Sequence, residues 1–165
     1  MNYLHVNFCT YLECPLGYLK IEGNSEFIFS ISFSDFKHTD TEFQPELANE
    51  ASNQLAQYFS GKLQLFNLPT HQAGTEFQQK VWNQLKGIPY GKTCSYLTIA
   101  RNLNNPKSIR AVGNSNGKNS LAIVIPCHRV IGESGKLVGY AAGLERKKWL
   151  LQHEAKYANG VQTLF

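Results

Sequence analysis

Hydrophobic and polar positions in the first third of the chain follow the short period of strands. Aromatic and β-branched residues alternate or cluster in three stretches, each bounded by turn-forming residues such as Pro, Gly, Asn or Ser. The predicted strands are residues 3–10, 17–22 and 27–33. From Pro45 the apolar spacing becomes helical, because Leu47, Ala51 and Leu55 fall on one face. A further short strand is expected over residues 63–68.

A polar segment, residues 69–74, separates this sheet-rich part from a part with mostly helical spacing. Thr75 is predicted to cap a helix that ends at Gly87, and Thr93 or Ser95 to cap a second helix that reaches Leu103. Further along, the pattern predicts a third helix, a buried strand, a glycine-rich loop and an amphipathic closing helix. The third helix is expected over residues 107–113, the buried strand over 121–125, the glycine-rich loop over 132–143 and the closing helix over 145–157.

The order of elements predicts an α+β fold in two parts. Residues 1–73 form a small β-sheet with one helix, and residues 74–165 form a helical, winged-helix-like domain. Two short helices around a tight turn, the later one rich in cations, are typical of a helix-turn-helix, although many such pairs only pack against each other.

Composition narrows the class of protein. The chain has 165 residues, of which 42% are hydrophobic and 17% charged, and this apolar fraction is too high for a disordered chain. The longest apolar run, residues 121–125, is too short to cross a bilayer, and the first residues do not resemble a secretion signal. We therefore expect free thiols at the four cysteines and a cytoplasmic protein.

Charge is distributed unevenly between the two parts. Residues 1–73 hold three Lys and Arg against eight Asp and Glu, a net of −5. Residues 74–165 hold thirteen against four, a net of +9. An excess of cations of this size favours a polyanionic partner such as nucleic acid, although a solvated basic face would carry the same signal.

Cys127 is the strongest candidate for chemistry. It follows an apolar run and Pro126, and it is succeeded by His128 and Arg129, which could lower its pKa or accept its proton. Glu154, on the closing helix, could orient the imidazole. A structural buried cysteine beside a packed histidine is the alternative.

The remaining cysteines indicate packing rather than chemistry. A zinc site built from Cys9 and Cys14 with His5 and His38 is conceivable, but the spacing fits no compact ligand pattern. We therefore expect no metal.

Residues 75–155 resemble the O6-alkylguanine-DNA alkyltransferases, also named methylated-DNA–protein-cysteine methyltransferases. The segment around Cys127, residues 125–130, is similar to the active-site signature of that family. Further similar motifs occur in the same order at residues 77–82, 88–93, 95–96, 105–107, 110–113, 139–140 and 149–154. The first part is similar to the family's variable first domain only in length and strand-rich character.

The resemblance implies a DNA repair protein. It would move the alkyl group of O6-alkylguanine, and less efficiently of O4-alkylthymine, from duplex DNA irreversibly onto its own cysteine after base flipping. Residues 74–165 would then be the DNA-binding and alkyl-acceptor domain. No cofactor is implied, the partner is double-stranded DNA with the lesion, and the protein is expected to be a monomer.

The resemblance also implies roles for individual residues. Cys127 would be the alkyl acceptor. His128, acting through a water and supported by Glu154, would generate the thiolate. Asn119 would brace the active-site turn, and Tyr96 would help rotate the nucleotide and donate a proton. Arg110 would replace the flipped nucleotide in the base stack, and Asn105 lies in a motif of the DNA-binding region. The backbone carbonyls of Cys127 and Val130 would accept from the guanine amine, and Tyr140 and Ala141 would line the pocket.

Three positions depart from the pattern of many relatives. Ala141 and Ala142 stand where serine and glycine are common, which removes a hydroxyl and puts bulky adducts in doubt. Ser120 replaces a common proline, so we expect a slightly looser turn.

Three other functions remain as alternatives. The first is a relative that binds alkylated DNA without repair, which Cys127 argues against because such proteins carry another residue there. The second is a thiol hydrolase that turns over without DNA, and the third is a helix-turn-helix regulator that binds a particular duplex sequence.

Overall fold

The computed structural model describes residues 5–159, and the chain divides into two compact units. The first unit holds the residues up to Gln72 together with Ser120–Ala122. The second unit holds Ala73–Asn119 and the chain from Ile123 onward.

The first unit is an antiparallel sheet with one helix. Its strands are β1 (Phe8–Cys14), β2 (Gly17–Gly23) and β3 (Ile28–Ser34), paired in the order β1-β2-β3. Its helix is α1 (Glu46–Phe59), which buries Ala48, Ala51, Leu55 and Tyr58. These side chains and the inward residues of the sheet form the core of the unit, which includes Phe8, Leu19, Ile21, Ile28 and Ile31.

The first strand begins and ends later than the apolar pattern predicts. It pairs from Phe8↔Gly23 to Cys14↔Gly17, so the ladder continues to the two-residue turn of Pro15 and Leu16. Gly17 closes this turn with φ of +106°, a conformation in which a side chain would be strained. The predicted strand over residues 3–10 was therefore wrong in its extent, and its first two residues lie outside the described part.

The strand predicted over residues 63–68 was wrong. The side chain of Gln54 supplies the hydrogen bonds that a neighbouring strand would have made: its Nε2 donates to the Asn67 carbonyl (3.0 Å), and its Oε1 accepts from the Asn67 N–H (2.9 Å). Leu65 is 84% exposed, so the apolar pattern of this segment does not reflect burial along its whole length. The segment is therefore an irregular loop held by a helix side chain.

Ser120 makes contacts that a proline could not make. Its N–H donates to Gln72 Oε1, and its hydroxyl lies within hydrogen-bond distance of the Phe29 carbonyl (3.0 Å) and Gln72 Oε1 (2.8 Å). Ser120 thus gains side-chain and backbone hydrogen bonds where a proline would have a fixed φ and no N–H, and the expectation of a slightly looser turn stays a prediction.

The second unit contains the predicted helices. They are α2 (Glu76–Lys86), α3 (Tyr96–Asn102), α4 (Ile109–Gly117) and α5 (Leu144–Asn159). Thr75 caps α2 in a reciprocal capping box with Gln78, and Ser95 caps α3 by accepting from the Thr98 N–H. The third predicted helix differs from its pattern, because Pro106–Ser108 form a separate 3-10 turn and α4 continues to Gly117.

The strand predicted over residues 121–125 was also wrong. Leu121 forms an isolated bridge to Ile31 and not a ladder, and the chain then turns at Ile123, which has φ of +71°. Ile123 and Ile125 are nevertheless buried, so the apolar run marks the core and not a strand. The sheet in this unit is a short parallel pair, β4 (Cys94–Ser95) with β5 (Val130–Ile131).

The predicted α+β class is confirmed by this arrangement of a small sheet unit and a helical unit. Among the described residues, no helix has both the length and the apolar character that crossing a bilayer demands.

Candidate active site

Cys127 begins a short 3-10 helix, Cys127–Arg129, immediately after Pro126. Its N–H donates to the Ile125 carbonyl at 2.8 Å, which folds the backbone tightly around the proline. The side-chain amide of Asn119 donates to the same carbonyl at 2.8 Å. The turn that carries the thiol is therefore held both by its own backbone and by Asn119, the second residue after α4.

The thiol of Cys127 is buried, with 6% of the residue exposed. Burial raises its pKa, whereas a hydrogen bond from the Asn119 side chain and the positive charge of Lys147 act in the opposite direction. A thiol in this position needs a base to become a nucleophile, because burial outweighs the groups that favour the thiolate.

His128 and Glu154 form a fully buried pair. His128 Nε2 lies 2.7 Å from Glu154 Oε1, and neither side chain is exposed. A carboxylate can only accept, so Nε2 carries the proton in this contact and Nδ1 is the basic nitrogen of the neutral ring. His128 Nδ1 is buried and has no hydrogen-bond partner among the described residues. The pair thus presents an oriented imidazole with a free basic nitrogen.

Arg129 completes the environment of the Glu154 carboxylate. Its Nε donates to Oε2 at 2.9 Å and its Nη2 to Oε1 at 3.0 Å, while Nη1 donates to the Ile88 carbonyl at 2.6 Å. The Gly91 N–H also donates to Oε2, at 3.2 Å. Burial alone would raise the pKa of Glu154, but His128 and Arg129 together hold this pKa well below its ordinary value. Glu154 is therefore ionised at neutral pH.

Lys147 is a fully buried cation on α5. Its Nζ donates to the carbonyls of Val138 and Gly139, both at 3.1 Å, and lies 5.9 Å from the centre of the Tyr96 ring. Burial lowers its pKa to about 8, and the negative charge of a Cys127 thiolate would raise it. Lys147 therefore ties the 138–139 segment to α5 and places a positive charge near the reactive sulfur.

A cavity of about 130 Å³ opens beside Cys127. Its wall is built from α3, α4, the Cys127 turn and the loop before α5. The lining residues are Tyr96, Gly113, Asn116, Gly117, Asn119, Cys127, Gly139, Tyr140 and Ala141. Burial raises the pKa of Tyr140 well above its ordinary value, so this wall is neutral at physiological pH.

Comparison with known proteins covers both units. The family profile for the 6-O-methylguanine DNA methyltransferase DNA-binding domain matches residues 76–156, and the profile for the ribonuclease-like domain of the same proteins matches residues 7–72. A methylated-DNA–protein-cysteine methyltransferase of Methanosarcina acetivorans is 46% identical over 147 residues, which cover 86% of this chain and 94% of the relative. The chain belongs to the methylated-DNA–protein-cysteine methyltransferase family.

Solved structures agree with this assignment to the methyltransferase family. The crystal structure of Mycobacterium tuberculosis O6-methylguanine methyltransferase matches with a TM-score of 0.83 and 37% identity, over 95% of this chain and 97% of that one. The structure of M. tuberculosis OGT in complex with DNA matches with a TM-score of 0.81 and 40% identity, over 89% of this chain and 92% of that one. The relationship therefore extends through the whole fold.

The methyltransferase fold brings together most of the site residues predicted from sequence. Cys127, Tyr96, Asn119, Tyr140 and Ala141 all line the cavity. His128 and Glu154 lie in the adjoining buried network and not on the cavity wall. The side chain of Val130 is fully buried in β5 and is not among the lining groups, so only its backbone carbonyl is left for the expected contact with a base.

Arg110 and Asn105 lie outside the cavity lining. Both residues are exposed, Arg110 in the first turn of α4 and Asn105 just before the 3-10 turn. The Asn105 carbonyl accepts from the Ser108 hydroxyl at 2.6 Å, so its backbone ends the turn between α3 and α4. Their roles on DNA remain predictions.

Asn116 and Lys147 were not predicted from the sequence, and no specific partner was predicted for Arg129. Lys147 shares a helical face with Leu150 and Glu154, at spacings of three and seven residues, and this register was the available signal. No comparable local signal marks Asn116, because its environment arises only when α4 packs against the Cys127 turn. The metal site considered at Cys9 and Cys14 gains no support, because the described residues hold no cluster of three metal-ligating side chains.

Proposed function

We propose that this methyltransferase repairs O6-alkylguanine in duplex DNA by transferring the alkyl group once, and irreversibly, to Cys127. The observation that carries the proposal is the combination of a buried thiol on the wall of a small cavity with an oriented His128–Glu154 pair behind it. Membership of the family gives the class of reaction, alkyl transfer from DNA to a cysteine of the protein.

The proton of the Cys127 thiol goes to His128 in this scheme. Nε2 is held by Glu154, so Nδ1 is the nitrogen that takes the proton, through a water. The ionised carboxylate stabilises the imidazolium that forms, and Arg129 keeps that carboxylate in place with two hydrogen bonds. His128 acts as the base, while Glu154 and Arg129 position it.

The chemical step is a displacement at saturated carbon. The Cys127 thiolate forms a bond to the alkyl carbon, the bond from that carbon to O6 breaks, and the electron pair remains on the guanine. We assign to Tyr96 the proton that the guanine takes up, because its hydroxyl lies on the cavity wall. In this step the hydroxyl gives up its hydrogen bond to the Val138 carbonyl (2.9 Å), and a proton from the His128 imidazolium returns to the tyrosine through water, so the net result is transfer of one proton from Cys127 to the guanine. The thioether has no good leaving group, so each molecule reacts once.

The lesion must leave the base stack to reach a buried thiol. We propose that Arg110, which is exposed at the start of α4, fills the gap left by the extruded nucleotide. The net charge of +9 over residues 74–165 supports contact with the DNA backbone, and these residues are proposed as the DNA-binding and alkyl-acceptor domain beside an N-terminal domain of residues 1–73.

The pocket favours small adducts. Tyr140 and Ala141 line the cavity, and the carbonyls of Cys127 and Val130 are proposed to accept from the exocyclic amine of guanine. O4-alkylthymine is the proposed secondary substrate. We further propose that the protein is a cytoplasmic monomer, as the sequence suggests.

Intact mass spectrometry tests the acceptor directly. The protein is mixed with excess duplex that contains one O6-methylguanine, and the mass of one added methyl group is expected in the wild type and in Cys94→Ala, but not in Cys127→Ala. Cys94 is a free, half-buried thiol of the same unit and serves as the matched control. Repeated turnover or an unchanged mass of the wild type would refute the proposal, and hydrolysis of small esters instead would indicate a thiol hydrolase.

Arg110→Ala tests the proposed extrusion of the base. The variant should repair duplex DNA far more slowly while reacting almost normally with the free alkylated base. Arg101→Ala is the control, because Arg101 is exposed on the neighbouring helix α3. Equal losses on duplex and free base would exclude Arg110 as the group that replaces the nucleotide.

A further inference from the structure

Asn116 is a buried amide on the cavity wall for which the proposed reaction has no role. It lies near the end of α4, only 4% of the residue is exposed, and it lines the same cavity as Cys127. Its Nδ2 donates to the backbone carbonyl of Cys127 at 3.3 Å. The amide is therefore adjacent to the atoms that a bound base must meet.

The orientation of the Asn116 amide is fixed by its neighbour. The Cys127 carbonyl can only accept, so the nitrogen must face it and the oxygen must face elsewhere. Tyr96 is also within reach of this amide, and a hydrogen bond from Asn116 to its oxygen lowers the pKa of Tyr96, against the larger effect of burial. Asn116 Oδ1 is buried and has no hydrogen-bond partner among the described residues.

An unpaired buried amide oxygen costs free energy until a donor reaches it. Alkylation at O6 removes the hydrogen from N1 of guanine, so the two N–H bonds of the exocyclic 2-amino group are the only donors that the base retains. O4-alkylthymine has no N–H donor at all, because its N3 hydrogen is lost in the same way. Within the pocket, only the guanine lesion can therefore pair with an acceptor.

We infer that Asn116 is a specificity-determining residue whose Oδ1 accepts a hydrogen bond from the 2-amino group of the flipped O6-alkylguanine. The inference rests on the proposed function. The amino group and the O6 substituent lie on the same edge of the purine, so a base whose alkyl carbon meets the Cys127 sulfur brings its 2-amino group toward the Cys127 backbone. Asn116 contacts that backbone, and its Oδ1 adds a side-chain acceptor to the two proposed backbone carbonyls, so that one of the two amine hydrogens is shared between Oδ1 and a carbonyl.

The consequence is a preference for guanine over thymine lesions. O4-alkylthymine would leave Asn116 Oδ1 unpaired, and sites that lose a hydrogen bond to a buried polar group discriminate strongly against the substrate that lacks it. The side chain thus adds to any preference that arises from the larger stacking surface of the purine.

The test compares three lesions in otherwise identical duplexes: O6-methylguanine, O6-methylhypoxanthine and O4-methylthymine. O6-methylhypoxanthine differs from the guanine lesion only by the missing 2-amino group. Single-turnover rate constants for methylation of the wild type are expected to be about 10- to 100-fold higher for O6-methylguanine than for O6-methylhypoxanthine. Equal rate constants in the wild type would overturn the inference without any substitution.

Asn116→Leu keeps the approximate size of the side chain and removes the acceptor. Loss of the Nδ2 contacts with the Cys127 carbonyl and Tyr96 should slow repair of all three lesions by a common factor, and loss of Oδ1 should slow repair of O6-methylguanine further. The ratio of the rate constants for O6-methylguanine and O6-methylhypoxanthine should therefore narrow. Asn114→Leu is the matched control, because Asn114 is exposed on the same helix. Asn116→Ala gives the same comparison if the leucine variant does not fold.

The outcomes separate this inference from the proposed function. Loss of the same factor on all three lesions would assign Asn116 a structural role and overturn the inference, while methylation of Cys127 by the wild type would still stand. No methylation of wild-type Cys127 by O6-methylguanine would overturn both.

Discussion

His128 Nε2 lies 2.7 Å from Glu154 Oε1, and both side chains are fully buried. The contact fixes the tautomer of the imidazole, so His128 Nδ1 is the basic nitrogen, and it has no hydrogen-bond partner among the described residues. Arg129 donates two hydrogen bonds to the same carboxylate, so the imidazole that we propose as the base for Cys127 is held in the core of the second unit.

Replacement of His128 by asparagine should slow alkyl transfer and leave DNA binding intact. The variant loses the base, so the single-turnover rate constant on an O6-methylguanine duplex should fall by about 10²- to 10⁴-fold. Fluorescence anisotropy with the same duplex should give an unchanged affinity. A normal rate constant in this variant would show that another group removes the thiol proton.

Glu154 should make the stability of the protein depend on pH in the acidic range. The pKa of Glu154 is lower in the folded state than in the unfolded state. Its contribution to the free energy of unfolding is therefore fully present above the unfolded-state pKa of about 4.3, and it is lost as the pH falls through the folded-state pKa. The free energy of unfolding of the wild type should therefore fall as the pH drops below about 4.

Glu154→Gln should remove that acid dependence and destabilise the protein at neutral pH. The variant leaves the Arg129 guanidinium buried without its counter-charge, and loss of one partner of a buried ion pair typically costs about 3–5 kcal/mol. Urea unfolding at several pH values measures both effects. A variant whose stability falls in acid as steeply as the wild type would contradict the assignment to Glu154.

Lys147 should lower the pKa of the Cys127 thiol. Its ammonium is charged below its own pKa of about 8, and its charge favours the thiolate against the effect of burial. Within residues 5–159, Tyr96 and Tyr140 are further titratable groups that interact electrostatically with the thiol, and they stay in place. In Lys147→Met, alkylation of Cys127 by iodoacetamide at pH 7 should slow about tenfold, and the midpoint of its pH profile should move upward.

Lys148→Met is the control for this experiment, because Lys148 is the exposed neighbour of Lys147 on α5. It should leave the pH profile of the thiol unchanged. An unchanged midpoint in Lys147→Met as well would limit Lys147 to holding the 138–139 segment.

Ala141→Ser should speed the repair of O6-methylguanine. The substitution places a hydroxyl on the cavity wall at a position where the resemblance to the family predicts serine, and one additional hydrogen bond to the departing oxygen corresponds to about a fivefold gain. Single-turnover kinetics on the methylated duplex measure the gain. A slower variant would indicate that the wall is already too tight for the hydroxyl.

Local signals explain which elements could be predicted from the sequence. Thr75 and Ser95 were identified as helix caps because a cap acts on backbone groups within a few residues of itself. The false strands at residues 63–68 and 121–125 have a common origin: an apolar run reports burial, but a strand also needs a partner ladder. Gln54 replaces that ladder in the first case, and the left-handed backbone of Ile123 interrupts it in the second.

The residues of the site also divide into those marked by a local sequence signal and those defined only by contacts between distant segments. Cys127 and His128 are adjacent in the chain and stand in a distinctive motif, so the sequence sufficed to single them out, and Glu154 came with the same resemblance. Asn116 and Lys147 acquire their significance only through contacts with distant segments, the Cys127 carbonyl and the 138–139 turn. Their side chains are polar at buried positions, which no pattern of hydrophobic residues can assign to a function.

The central claim is tested most directly by following an isotopically labelled methyl group to its final atom. A duplex whose O6-methylguanine carries a deuterated methyl group is incubated with one equivalent of protein, and the digested protein is mapped by peptide mass spectrometry. The label should be found on Cys127 in a single equivalent. A Cys127 peptide that remains unlabelled while another residue gains the deuterated methyl group would contradict the account.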